Sequence, residues 1–186
     1  MHDTHRFYSG TSGLVLPVPQ ALYPAEFRGK SRLTYYASLF NSLEINSSFY
    51  KTPKAATVTR WADSVPDHFR FTVKLSKAIT HAKGLAFSEE DLSRFMDISR
   101  HIGNKKGCLL VQFPPGLKVE KFKEAERLLT DLKQYPEWKT AEFIMGTPLR
   151  SISAIKSSNS CGWLLMVMLL AIIIQSNSTS LAMRII

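Results

Sequence analysis

The polar side chains that could do chemistry begin with Glu44 and Asn46. In an extended segment these residues alternate with Leu43 and Ile45, and every second side chain of a strand lies on the same face. Because helical patterns precede and follow this segment, we expect a parallel sheet covered by helices. A carboxylate and a carboxamide would then face the interior near the carboxyl end of a strand, where enclosed-sheet folds place their chemistry.

Later strand candidates bring further polar groups to the same end of the sheet. Lys74 lies in the alternating segment 69–75, Gln112 comes near the end of a buried apolar run, and Glu142 lies in the strand candidate 139–143. His81 follows on a loop after the segment that holds Lys74. Polar groups repeated at the same end of different strands favour a functional site, because an apolar core does not need them.

The chemistry that these residues suggest is acid–base catalysis or metal binding. Glu44 and Glu142, together with His81 and Gln112, could act as acid and base or hold a divalent metal ion, while Lys74 binds an anionic substrate. A structural explanation stays open, because Lys74 could simply neutralise a buried carboxylate. If Glu44 and Lys74 approach within roughly 4 to 6 Å, each favours the charged form of the other.

The elements that would position these residues alternate regularly along the chain. Apolar residues recur at helical spacing over 33–40 and 58–65, Ser88 with Asp91 forms a capping box before a third helix, and a fourth helix covers 119–132. Strand candidates near residues 6, 43, 70, 108 and 140 are separated by these helices. The spacing fits the roughly 31 residues per unit of a TIM-type (β/α) barrel, although a doubly wound open sheet gives the same alternation.

Composition narrows the choice of partners and compartment. The net charge of +9 and a pI near 9.7 favour anionic partners such as nucleic acid or a phosphorylated small molecule. The basic residues are scattered, which argues against a dedicated nucleic-acid surface. Cys108 and Cys161 have no metal-ligand spacing and imply no disulfide framework, and Met1 precedes no apolar signal segment, so we expect a cytoplasmic protein.

Several runs of this sequence together resemble the YecE-like family, also called domain of unknown function 72. The runs that carry the resemblance are Gly10-Thr11-Ser12-Gly13, Glu44-Ile45-Asn46-Ser47-Ser48-Phe49-Tyr50, Phe69-Arg70-Phe71 with Lys74, Ile79-Thr80-His81 and Leu110-Val111-Gln112-Phe113-Pro114-Pro115. The resemblance implies a TIM-type barrel with no established biochemical activity. It also implies a shared site: Glu44, His81 and Glu142 are then catalytic candidates, and Asn46, Tyr50, Lys74 and Gln112 are substrate-binding candidates.

The resemblance covers residues 6–143 and is lost after Phe143. We therefore divide the chain into a partial barrel domain, 1–143, with about five strands and four helices, and an atypical tail, 144–186, that contains no Asp or Glu. By resemblance, the family continues after this point with an arginine and a Trp-containing turn. Because family identity is lost at one residue, we expect a truncated member whose tail is translated out of frame or comes from a degraded gene. The apolar run 163–174 is shorter than the roughly 20 residues that span a bilayer, so no membrane anchor is expected. An incomplete barrel has an open edge through which copies could associate.

Three function classes follow from the sequence. The first is a barrel-type enzyme on a phosphorylated or sugar-like substrate, with a divalent metal as an open alternative. The second is a nucleic-acid-binding module that uses the positive charge and exposed aromatic residues such as Tyr23 and Tyr50. The third is a nonfunctional truncated gene product.

Overall fold

The computed structural model describes residues 8–16, 18–115 and 117–144. Its strands are β1 (Ser42–Ile45), β2 (Arg70–Lys74), β3 (Lys106–Phe113) and β4 (Lys139–Ile144). Its α-helices are α1 (Arg32–Leu39), α2 (Ser47–Tyr50), α3 (Ala55–Asp63), α4 (Lys77–Thr80), α5 (Glu89–Ser99) and α6 (Phe122–Leu132). Short 3₁₀ turns lie at Gln20–Leu22, Ala25–Phe27, Lys83–Leu85, Arg100–Lys105 and Val119–Lys121.

The strands form one parallel sheet in the order β1-β2-β3-β4. The predicted alternation of strands and helices and the parallel sheet are confirmed. Sequential order means that each new strand is added beside the previous one, whereas a doubly wound sheet reverses direction at a switch point. The strands of the described part do not close into a ring, so the structure establishes a mixed α/β fold with an open parallel sheet.

The segment before α1 runs beside β1 as a further, irregular neighbour. Ser42 donates its N–H to the carbonyl of Ser9 (3.1 Å), and Glu44 donates to the carbonyl of Thr11 (3.1 Å). Gly13 returns a bond to the carbonyl of Glu44 (2.9 Å). A strand was expected over residues 6–10. In the described residues 8–10 no regular strand forms, and the pairing with β1 extends further along the chain to a single parallel bridge at Ser12.

The close approach of this segment to β1 depends on Gly10 and Tyr36. A Cβ atom added at Gly10 would lie 1.9 Å from the carbonyl oxygen of Ser42, which leaves no room for any side chain. The Tyr36 hydroxyl, buried under α1, accepts from the N–H of Thr11 (2.7 Å) and donates to the carbonyl of Ser42 (3.0 Å). One phenol therefore joins the segment to the first strand.

The helix-facing side of the sheet forms the core. Its strand residues are β-branched or otherwise apolar and alternate with the polar series that contains Glu44: Leu43, Ile45, Phe71, Val73, Leu109, Val111 and Phe113. Buried residues of the helices cover them, among them Tyr36, Val58, Phe95 and Leu128. Each fully buried large apolar side chain contributes roughly 1.5 to 3 kcal/mol, so this layer supplies most of the driving force for folding.

The predicted helices agree with the structure in position and in their end signals. The helices predicted over 33–40 and 58–65 correspond to α1 and α3. The helix predicted over 119–132 corresponds to the 3₁₀ turn Val119–Lys121 followed by α6. Ser88 accepts a hydrogen bond from the N–H of Asp91 at 3.3 Å and begins α5, as the capping pattern indicated. Beyond the sequence analysis, the buried Lys105 ammonium donates to the carbonyls of Ala62 and Val65 at 2.7 Å each, which satisfies groups at the end of α3.

Two one-turn helices, α2 and α4, follow β1 and β2 directly and were not predicted. The prediction that Asn46 shares the strand face of Glu44 is wrong, because β1 ends at Ile45 and Asn46 takes helical dihedral angles at the start of α2. A short polar side chain readily leaves a strand for a turn, since it competes for local backbone groups. The calls on the tail, 144–186, fall outside the described residues beyond position 144.

Candidate functional site

Glu44 lies at the carboxyl end of β1 and is the most enclosed acidic residue of the site. Its side chain is 9% exposed, and Ser12 donates a hydrogen bond from its hydroxyl to Oε1 at 2.8 Å. Burial raises the pKa of the Glu44 carboxyl, and the Ser12 hydrogen bond and the positive charge of Lys74 offset this only in part. The carboxyl is therefore shifted towards its protonated form, as a proton donor requires.

Lys74, the last residue of β2, lies on the same face of the sheet as Glu44. Glu44 is in register with Thr72, and Lys74 follows Thr72 by two positions, so the parallel pairing puts all three in one series. Burial lowers the pKa of the Lys74 ammonium, while the charge of Glu44 raises it by a smaller amount. The predicted mutual support of the two charges is present, but desolvation outweighs it on both residues.

Phe49 connects the ends of the first two strands. Its ring lies 4.5 Å from the Lys74 Nζ, measured to the ring centroid, and 5.0 Å edge-on from the His81 ring. The neighbouring Ser48 hydroxyl is 2.6 Å from the carbonyl oxygens of both Ile45 and Lys74 and can donate to either. The one-turn helix α2 is thereby fastened across β1 and β2, which fixes the Phe49 ring beneath the Lys74 ammonium.

His81 ends α4 beside this aromatic ring. Its Nδ1 is 2.9 Å from the Thr80 Oγ1, and the Thr80 hydroxyl can donate to the carbonyl of Ser76 at 3.3 Å. In that arrangement His81 donates from Nδ1 and presents Nε2 as a hydrogen-bond acceptor. Burial lowers the pKa of His81 first, and the nearby charges of Lys74 and Lys77 lower it further, so the neutral imidazole is favoured.

Tyr50 presents the most exposed aromatic surface of the site. Its ring is 66% exposed, lies 5.1 Å edge-on from Phe49, and has the Lys77 Nζ 5.6 Å from its centroid. Tyr23, the other aromatic residue expected to be exposed, is 1% exposed and packs 4.1 Å from Tyr35. The expectation for Tyr23 is wrong, because the proline-rich loop folds back over α1 and buries it.

Asn46 and Gln112 take different places relative to Glu44. The Asn46 Oδ1 is buried and has no hydrogen-bond partner in the described part of the chain. Gln112 lies two residues after Leu110, the β3 residue in register with Lys74, and is half-buried. Gln112 is therefore in the strand series of the site, as predicted, and Asn46 offers an unused acceptor at the end of β1.

Glu142 differs from the expected placement. The register of β4 pairs its backbone with Val111, whereas Gln112, of the Glu44 series, pairs with Phe143. Position 142 is therefore in register with the core residues of β3, one residue away from the Glu44 series in which we expected it. The side chain of Glu142 lies outside the described part, and its catalytic role stays a prediction.

The family described as "Protein of unknown function DUF72" matches residues 8–147. The chain belongs to this family. The sequence-based assignment is confirmed, and the match includes the site residues from Ser12 to Glu142.

Two bacterial relatives of this DUF72 chain have names that state no activity. It is 29% identical over 102 residues to the UPF0759 protein YecE of Escherichia coli K12 and 31% identical over 108 residues to the UPF0759 protein YunF of Bacillus subtilis 168. Each match covers 54% of this chain and 38% of the relative. The chain thus spans well under half the length of these curated relatives.

Solved DUF72 structures share the fold. A family protein of Enterococcus faecalis V583 is 25% identical, with a TM-score of 0.52, over 60% of this chain and 42% of that one. A second, from Thermotoga maritima MSB8, is 24% identical, with a TM-score of 0.56, over 75% of this chain and 56% of that one. These likenesses support the α/β architecture of the described DUF72 residues.

Four contributors to the DUF72 site were missed from the sequence: Ser12, Phe49, Lys77 and Thr80. Ser12 and Phe49 lie within runs that carried the family resemblance, but a hydroxyl or ring in such a run gives no indication of its partner. Lys77 and Thr80 belong to α4, a one-turn helix too short to show periodicity. Thr80 also lies in one of the resembling runs, Ile79-Thr80-His81, whereas nothing in the sequence pointed to Lys77.

The described residues of this DUF72 chain bring no three His, Cys, Asp or Glu side chains close enough to hold a metal ion. Glu44 and His81 therefore do not form a metal site with a third described ligand. Nor does any helix in the described ranges have the length and apolar character needed to cross a membrane.

Proposed function

We propose that this DUF72 chain carries the first part of a (β/α) barrel enzyme whose site at the carboxyl ends of β1 and β2 acts on a phosphorylated or sugar-like anion. The sequential parallel strand order and the likeness to solved DUF72 structures support the barrel. We expect this protein to be located in the cytoplasm. The proposal concerns the site, since the chain spans only part of its relatives' length.

The observation that carries the proposal is that two groups on one face of the sheet have pKa values shifted in opposite directions. The pKa of the Glu44 carboxyl is raised and that of the Lys74 ammonium is lowered, each by burial. Environments that move an acid and a base towards neutral pH are typical of sites that transfer protons, although structural ion pairs do the same. Glu44 and Lys74 lie at the carboxyl ends of their strands, where barrels bind substrate, and this position favours a proton-transfer site over a structural ion pair.

In this mechanism each residue has a separate task. Lys74 and Lys77 attract the anion, Glu44 donates a proton to a developing oxyanion or leaving group, and His81 accepts a proton at Nε2. Asn46 and Gln112 supply hydrogen bonds to hydroxyl groups of the substrate. Ser12 holds the Glu44 carboxyl in place through the bond to Oε1.

The test uses glucose 6-phosphate and inorganic phosphate as probes in calorimetry on the full chain. We expect binding by the wild-type protein, a loss of about tenfold or more in Lys74→Met, and no change in Lys30→Met, whose ammonium makes a comparable contact with Phe27 at 5.4 Å. In a panel of sugar phosphates, Glu44→Gln should lower turnover by about 10² or more. Absence of phosphate binding, or equal binding by both lysine variants, would contradict the proposal.

A nucleic-acid-binding module is the second candidate. The exposed Tyr50 ring beside Lys77 and the net charge of +9 favour it. It predicts that affinity for a single-stranded oligonucleotide falls steeply as salt increases and is insensitive to Glu44→Ala. Tight salt-independent binding, or a strong effect of Glu44→Ala, would count against a polymer site.

A nonfunctional truncated product is the third reading and stays a prediction. This hypothesis predicts that the nucleotide sequence downstream of codon 143, when translated in another frame, encodes the Arg- and Trp-containing turn of the family. Sequencing that region tests it directly.

A further inference from the structure

We propose that the substrate is a nucleoside monophosphate, whose base stacks on Tyr50 and whose phosphate is bound by Lys74 and Lys77. The inference rests on the proposed function and specifies its substrate class. It assigns to the surface of Phe49, Tyr50, Lys74, Lys77 and His81, called here the ring–cation surface, the recognition of an aromatic group and an anion together.

The aromatic half of the ring–cation surface has properties that a structural ring does not need. Tyr50 is 66% exposed, although it ends the one-turn helix that follows β1 and lies next to the half-buried Phe49. A ring in this position loses apolar contact with the core, and stacking with the base of a ligand would restore such contact. Base–aromatic stacking is worth about 1 to 3 kcal/mol per base and is tolerant of base identity.

The cationic half lies beside the same rings. The Lys74 Nζ is 4.5 Å from the Phe49 centroid and the Lys77 Nζ is 5.6 Å from the Tyr50 centroid, so both ammonium groups lie close to the two adjoining rings. Lys77 is exposed and Lys74 is half-buried, and both reduce the protonation of His81. An anion bound between them would relieve this crowding of positive charge.

The arrangement distinguishes a nucleotide from a simple sugar phosphate. A sugar phosphate uses the lysines but leaves the exposed ring of Tyr50 uncovered, whereas a nucleoside without phosphate uses the ring alone. Only a ligand with both groups engages the whole ring–cation surface.

The experiment compares AMP, ribose 5-phosphate and adenosine by calorimetry on the full chain. We expect AMP to bind about tenfold or more tightly than ribose 5-phosphate, and adenosine to bind more weakly than AMP. Tyr50→Ala should remove the preference for AMP over ribose 5-phosphate, while Tyr50→Phe keeps it. Lys77→Met should weaken both phosphorylated ligands, and the matched Lys30→Met should weaken neither.

The outcomes separate this inference from the proposed function. If ribose 5-phosphate binds as tightly as AMP and depends on Lys74, the nucleotide inference is overturned and the proposed function stands. If neither phosphate compound binds, both are overturned. If only an oligonucleotide binds, the nucleic-acid module replaces them. Thermal unfolding of each variant, followed by circular dichroism, checks that the exposed positions do not affect folding.

Discussion

Glu44 is a carboxyl group whose surroundings favour its protonated form. Burial raises its pKa above the ordinary value of a glutamic acid side chain. A raised folded-state pKa of an acid means that its contribution to stability is complete below the unfolded-state pKa and is lost as pH rises through the folded-state value. The ionised carboxylate therefore costs stability at pH values above the folded-state pKa.

We expect Glu44→Gln to be more stable than the wild-type protein at pH 8, and the difference to shrink towards zero near pH 4. Glutamine is the neutral isostere and keeps an acceptor oxygen for the Ser12 hydroxyl. Urea unfolding midpoints of both proteins, measured from pH 4 to 8, give the difference at each pH. If Glu44→Gln is instead less stable than the wild-type protein at pH 8, the attraction of Lys74 for the ionised Glu44 outweighs the cost of burying it.

Glu44 and Lys74 should also be coupled in stability. Lys74→Met removes the positive charge that lowers the pKa of Glu44, so we expect this variant to be less stable than Lys74→Met with Glu44→Gln. Coupled neighbours show interaction energies of about 0.5 to 3 kcal/mol. The four proteins of a double-mutant cycle in urea measure it, preferably repeated in a full-length family member. If the effects of the two single substitutions simply add in the double variant, the two residues act independently.

At the scale of elements, the segment 9–13 is held against β1 by a contact that only glycine allows. We expect Gly10→Ala to destabilise the protein by about 1 to 3 kcal/mol, because its Cβ would lie 1.9 Å from the Ser42 carbonyl oxygen and the segment must shift. Gly107→Ala is the matched control: its Cβ would lie 3.0 Å from the Phe71 carbonyl oxygen, and a small adjustment can relieve this contact. Denaturant unfolding of both variants compares them. A Gly107→Ala loss as large as that of Gly10→Ala would contradict this account.

The sequence predicted the long elements of this fold well and the short ones poorly. Helices such as α5, with a Ser88 cap and an apolar stripe, carry local signals that tertiary contacts reinforce. One-turn helices such as α2 are held by specific bonds, here from the Ser48 hydroxyl to the carbonyls of Ile45 and Lys74, and no periodicity announces them. Asn46 was misplaced for this reason.

The candidate site shows the same division. The shared face of Glu44 and Lys74 followed from strand alternation, which is a property of the backbone. The register of β4 did not follow, because a shift of one residue moves Glu142 to another series and no local pattern fixes it. Contacts between elements, such as Ser12 with Glu44 or Phe49 with His81, arise only in the folded molecule.

At the scale of the whole molecule, the described sheet has an edge at β4. Within residues 8–144, β4 pairs with β3 on one side, and the described strands do not close into a ring. An unpaired strand edge presents N–H and C=O groups that can pair with another chain, and closure of a barrel removes such edges. The predicted self-association therefore depends on whether this edge is available in solution.

We expect the full chain to self-associate as its concentration rises from micromolar towards millimolar, with β4 at the contact. Sedimentation velocity measures the mass, and amide hydrogen exchange at each concentration reports the protection of individual strands. Edge pairing requires that exchange slows with concentration in β4 while the amides of β2, already paired on both sides, keep their rates. A monomer at every concentration, or added protection confined to the ring–cation surface, would show that the β4 edge does not pair between copies.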